Sequence, residues 1–195
     1  MNEPFSVEGL VIIFSTIISI IISFLIIRLN WKRYGLLFLL SSFTGYFICY
    51  VFVKLEYYHY PYTLLPNYSL MPITAITTVF PFIVITAVCF SPKEWKWKIP
   101  FYWTIVHAGM SFEIWAIRNT TIIEFLNKWD AGNSYASWWI YLLIFQVIGE
   151  RIIPEKDTYP INSEKFRFTN IFWIISHVIL IGSFYYFGYH TGAKM

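Results

Sequence analysis

Glu113 stands in a run of otherwise apolar residues, 101–117 (FYWTIVHAGMSFEIWAI), six residues after His107. A charged side chain at the centre of a bilayer costs about 2.5–3.5 kcal/mol even on the milder insertion scales, so it is retained where something pairs with it or uses it. Two chemistries suit such a carboxyl. It can be protonated or hydrogen-bonded and hold two helices together, or it can be a proton or cation site of the kind transporters use. His107 and His177 likewise read either as imidazoles donating one hydrogen bond to a neighbouring backbone or hydroxyl, or as members of a proton relay. Gln146 and Glu150, one helical turn apart, could extend a polar track to the cytoplasm, unless Glu150 simply pairs with the adjacent Arg151.

Spacing limits how these groups combine. On a regular helix six residues turn through about 600°, leaving His107 and Glu113 about 120° apart and unable to share one ligand. Gly109, which permits distortion, loosens that exclusion. A metal centre would need third and fourth ligands, and no HExxH or comparable spacing supplies them. Cys49 and Cys89 belong to no CxxC or Cys/His group, so they read as buried small side chains rather than redox or zinc ligands. There is no Gly-rich phosphate loop, no GxSxG elbow and no paired-aspartate motif of lipid phosphotransferases. An enzyme acting on a lipid or another membrane-embedded substrate would have to assemble His107, Glu113 and His177 from separate spans. No cofactor is implied.

The elements that must position these groups are transmembrane helices. Hydrophobic residues make up 57% of the chain, aromatic residues 22% and charged residues only 13%, with a mean hydropathy of +0.57. That composition belongs to an integral membrane protein, and no stretch between apolar runs is long enough to bury a soluble core. Six apolar segments, 7–27, 35–53, 71–90, 100–117, 134–150 and 168–188, each come close to the about 17–25 residues a helix needs to cross hydrocarbon. The expected fold is therefore an all-α polytopic bundle forming one domain, 1–195. The fifth segment is the shortest and could instead be partly interfacial.

Positive charge orients the threading. The connections after segments one, three and five hold Arg28, Lys32, Arg33, Lys93, Lys96, Lys98, Arg151, Lys156, Lys165 and Arg167, whereas the other side holds Lys54, Arg118, Lys128 and Lys194. Ten against four places those three connections in the cytoplasm and both termini outside. The net charge of +3 is accounted for in this way and calls for no nucleic acid. Glu3 precedes the first run and Glu8 stands at its start, and basic residues rather than a small-residue cleavage site follow it, so it reads as a retained span and not a signal peptide. With segment four running outward, helical rise puts His107 near the bilayer centre and Glu113 about 9 Å further out. His177 falls at nearly the depth of His107, so the two meet if segments four and six touch.

Other features speak to packing. Ser15, Ser19 and Ser23, and then Ser41, Gly45 and Cys49, form strips of small residues along which helices can approach closely. Pro81 must free a carbonyl one turn earlier, to be satisfied by a Thr hydroxyl or by a neighbouring helix. With Thr74 and Thr78 it forms a hydroxyl stripe that could line a solute path. The outer loop, 55–70 (LEYYHYPYTLLPNYSL), reads as an aromatic anchor at the headgroups or as a lid facing lipid or a partner. Residues 120–129 (TTIIEFLNKW) have the spacing of an interfacial amphipathic helix, with a plain loop as the alternative.

YTLLP at 62–66, Pro72, Pro81, SPKEWKWKIP at 91–100, Glu113 and Trp129 together resemble the small multi-pass membrane proteins of unknown function found in spore-forming Firmicutes. The resemblance implies a bacterial cytoplasmic membrane and brings no known activity. The residues themselves point to a small transport or channel-like component, or a membrane subunit of a larger complex, centred on Glu113. Its partners are the lipid bilayer and a protein partner or second copy; the enzyme is the alternative.

Overall fold

A computed structural model describes residues 6–127 and 129–162, with Val178 and Gly182, and over these residues the chain is mostly helical. The expected sixth span, 168–188, including His177, lies outside the described residues apart from those two positions. Ser6 accepts a hydrogen bond from the Gly9 amide and opens α1 (Val7–Ile27), and Asn30 accepts one from Arg33 and opens α2 (Trp31–Lys54). α3 (Ile73–Phe90) follows Pro72 and stops before Pro92, which forces the preceding Ser91 into an extended conformation. α4 spans Trp95–Asn119, and α5 (Ala131–Ile152) is capped by Asp130, whose side chain accepts from the Asn133 amide at 2.8 Å. Among the described residues, α1, α2 and α3 are both long and apolar enough to cross a membrane. α4 and α5 have the length but not the apolarity.

α3 is the central helix and packs on all four others. Around it a core forms from Tyr34, Leu37, Val84, Ile85, Tyr102, Val106, Leu142 and Phe145. The carbonyl that Pro81 frees, that of Thr77, is met by the neighbouring helix: Ser42 Oγ on α2 donates to it at 3.0 Å, while Thr77's own hydroxyl turns back to the Ile73 carbonyl. The Thr78 hydroxyl likewise turns back on its own helix, donating to the Thr74 carbonyl at 2.7 Å. Ser19, Ser23, Ser41, Gly45 and Cys49 are all buried. Large apolar side chains such as Phe14 and Ile18 on α1, Leu39 and Phe43 on α2, and Ile140 and Ile144 on α5 stay exposed around the outside.

The connections sort to two ends. At one end Asn30 Nδ2 donates to Asp157, Arg33 to the Ile152 carbonyl, and the Tyr159 amide to the Cys89 carbonyl. Here a short 3-10 turn (Glu155–Asp157) ties the chain after α5 to the α1–α2 and α3–α4 connections. At the other end Glu8 accepts from the Thr121 amide and hydroxyl, and β1 (Tyr58–His59) pairs antiparallel with β2 (Glu124–Phe125). Residues 120–127 thus form the loop that was the alternative to an amphipathic helix, with a short strand in it. The backbone of the Tyr58 segment supplies partners that a surface helix would have to find within itself, and Asn127 (φ 54°) takes a left-handed conformation incompatible with helix continuation. Ile122 and Ile123 are buried beneath this strap.

Candidate functional site

Two polar clusters occupy the two ends of the bundle. The first is built around Glu113 on α4. Its Oε1 accepts from Ser134 Oγ at 2.6 Å and its Oε2 from Trp138 Nε1 at 2.8 Å. Ser134 and Trp138 sit one helical turn apart on α5, so one face of α5 presents both donors to one carboxyl. Tyr58 Oη lies 3.3 Å from Ser134 Oγ. A serine hydroxyl has one hydrogen, and here it points at Glu113, so the tyrosine is the donor of that second bond. Burial pushes the Tyr58 phenol well above its ordinary range.

Glu113 is only partly buried, and its remaining surface faces a cavity of about 500 Å³. All five helices and the Tyr58 strap contribute to the wall, which is overwhelmingly apolar. Glu113 is the one acid on that wall among the described residues, and no lysine, arginine or histidine joins it there. Nor does any ion pair among the described residues include it. Phe112, Ile140 and Ile144 line the cavity and are also more than half exposed on the bundle surface, so the cavity opens sideways between helices.

Over Tyr57–Tyr62 the aromatic loop after α2 folds back onto the bundle. Tyr58 and Tyr62 are buried, and Tyr57 and Tyr58 pack with Phe52 and Trp129, Tyr57 stacking on Trp129 at 4.8 Å. It is a lid closed over the Glu113 end. His107 faces away from that cavity. Its Nδ1 lies 3.0 Å from the Trp103 carbonyl, and its ring meets Tyr135 edge-on at 5.6 Å. His107 and Glu113 both touch α5, His107 through Tyr135 and Glu113 through Ser134 and Trp138.

The second cluster holds Gln146 and Glu150 on α5. Gln146 Nε2 donates to Glu150 at 2.9 Å, Tyr102 Oη donates to Gln146, and Lys98 pairs with Glu150. The expected Glu150–Arg151 pair does not form, because neighbouring residues on a helix point about 100° apart and Lys98 on α4 faces Glu150 directly. Lys98 is buried and lies 4.9 Å from the Trp95 ring, a cation–π contact, although its sequence context reads as a solvated loop. A smaller cavity of about 310 Å³ borders this cluster and reaches the exposed Lys93–Glu155 pair, where the hydrogen bond from Lys93 holds the Glu155 carboxyl below its usual range. Among the described residues no chain of hydrogen bonds links Gln146 to Glu113, and the core between α4 and α5 includes the apolar Phe145.

Cys49 and Cys89 are both buried and free, and no cluster of metal-ligating side chains exists among the described residues. Sequence reasoning missed Ser134, Trp138 and Tyr58 at one end and Lys98 and Tyr102 at the other. The four-residue spacing of Ser134 and Trp138, opposite an unexplained acid, was the one signal that could have found the first pair. No family profile, curated protein or solved structure matches the chain.

Proposed function

We propose that this chain is a multi-pass protein of a bacterial cytoplasmic membrane that takes a membrane-soluble molecule into the Glu113 cavity and serves as a small transport component. In this reading α4 and α5 cross the bilayer with α1–α3, residues 168–188 form the sixth span, and the basic end faces the cytoplasm. The exposed apolar residues on α5 then meet lipid rather than water. The observation that carries the reading is an apolar cavity of about 500 Å³, open sideways between helices, with a single carboxylate on its wall. A channel is disfavoured, because among the described residues no polar route joins the two ends.

Gly109 offers a clean test. It lines the cavity, and an added Cβ would meet only Trp138, at 4.0 Å. Gly109→Leu should therefore project a side chain into the cavity and compete with a ligand for its space. In nanodiscs, the neutral probe N-phenyl-1-naphthylamine should bind the wild type saturably, above its partition into protein-free discs, and Gly109→Leu should weaken that binding at least about tenfold. Equal binding by the two proteins would remove the cavity as the site.

A further inference from the structure

We infer that the molecule held in this cavity is a lipophilic organic cation, an amine with an apolar body, seated with its ammonium against Glu113. The inference rests on the cavity being a ligand site, as proposed above, and adds the chemistry of the ligand. Charge is the first consideration. Glu113 takes two hydrogen bonds from neutral donors, Ser134 and Trp138, and no cationic side chain among the described residues compensates it. An ionised carboxylate in an apolar wall is costly until a cation joins it, whereas an anionic ligand would add repulsion to that cost. The second polar cluster differs on this point, because there Lys98 already neutralises Glu150.

Geometry is the second consideration. A carboxylate offers about four acceptor positions, and Ser134 and Trp138 occupy one on each oxygen. Glu113 lines the cavity, and the positions left over suit the N–H groups of an ammonium, in charge-assisted bonds that a neutral donor would make only weakly. Around this point stand aromatic faces. Trp138 is fixed by its own bond to Glu113 and stacks on Phe80 at 4.9 Å, and Tyr58 and Tyr141 complete the wall. Such rings attract a cation while remaining compatible with an apolar body. Phe112 and Ile140, at the sideways opening, give an amphiphile already dissolved in the membrane a route in.

The test compares two probes with one apolar body: N-octyl-1-naphthalenemethylamine, cationic at neutral pH, and its neutral N-acetyl amide. Both are titrated by naphthalene fluorescence into protein held in phosphatidylcholine nanodiscs, whose zwitterionic surface does not itself concentrate cations. The wild type should bind the amine about ten- to a hundredfold more tightly than the amide. Glu113→Gln should bring the two affinities together, and Gly109→Leu should lose both. Equal affinities in the wild type would overturn the inference while leaving the cavity as an apolar site. If neither probe binds saturably, the inference and the functional reading fall together. Should Glu113→Gln not fold, the amine-to-amide ratio of the wild type decides alone.

Discussion

Lys98 is 5% exposed, yet its ammonium finds Glu150, and through Glu150 it joins Gln146 and Tyr102. An ammonium that far from water is tolerated only because a carboxylate and an aromatic face replace its hydration. Lys98→Met preserves the stem and removes the charge, leaving Glu150 with Gln146 as its remaining partner. Because Glu150 is half exposed, water recovers part of the loss, and the expected destabilisation is about 1–3 kcal/mol. It should appear as a lower midpoint in thermal melting in detergent, and adding Glu150→Gln should return part of it. A double-mutant cycle without coupling would show that the pair is not structural. In sequence, Lys98 was indistinguishable from the loop cations Lys93 and Lys96, because spacing along one helix does not say which neighbour it faces. Glu113 was legible as an anomaly for the opposite reason: an acid in an apolar run is conspicuous wherever its partners lie. Those partners, Ser134 and Trp138, are more than twenty residues away and became visible only once α4 and α5 were docked.

At the scale of elements, the five described helices follow the apolar runs closely, since a run long enough to cross hydrocarbon leaves a helix few other ways to satisfy its backbone. Pro81 also read correctly, because a missing N–H must leave an acceptor open somewhere nearby. The pairing of Tyr58 with Phe125 did not, since a two-residue ladder depends on a contact between distant segments and leaves no periodic trace. Close helix approach was legible at Gly45, in its strip of small residues, but not at Gly149. A Cβ on Gly149 would lie 2.5 Å from Val88 Cγ2 and 2.7 Å from its Cγ1, whereas one on Gly45 would lie 3.1 Å from the Phe80 ring. Val88 is β-branched and held in the core, so it cannot swing aside. Gly149→Ala should therefore push α5 off α3 at a cost of about 1–3 kcal/mol, and Gly45→Ala should cost less because a few tenths of an ångström relieve it. Melting of both variants in one detergent checks the order, and Val88→Ala should rescue Gly149→Ala. A neutral Gly149→Ala would mean that the α3–α5 contact is looser than its geometry.

For the molecule as a whole, charge and connectivity agree on two distinct ends. Arg28, Lys32, Arg33, Lys93, Lys96 and Arg151 belong to the end tied together by Asp157 and Tyr159, while Lys54 and Arg118 belong to the strap end. Retention of positive charge in the cytoplasm then predicts that the strap, the lid and the Glu113 cavity face outward. Buried Cys49 and Cys89 can be replaced by Ala to give a background for single-cysteine labelling. Tyr68→Cys, at an 87% exposed site between α2 and α3, and Glu124→Cys, on the strap between α4 and α5, should react with a membrane-impermeant maleimide added to intact spheroplasts. Lys156→Cys, exposed after α5, should react only once the membrane is permeabilised. The three sites separate the alternatives. Reversal of all three would invert the molecule and put the cavity in the inner leaflet. Protection of Glu124→Cys together with Lys156→Cys, with Tyr68→Cys still labelled, would take α4 and α5 out of the membrane and leave α1–α3 as its spans. In that case the apolar faces of Ile140 and Ile144 would need a protein partner instead of lipid, and the cavity could not be filled sideways from the bilayer.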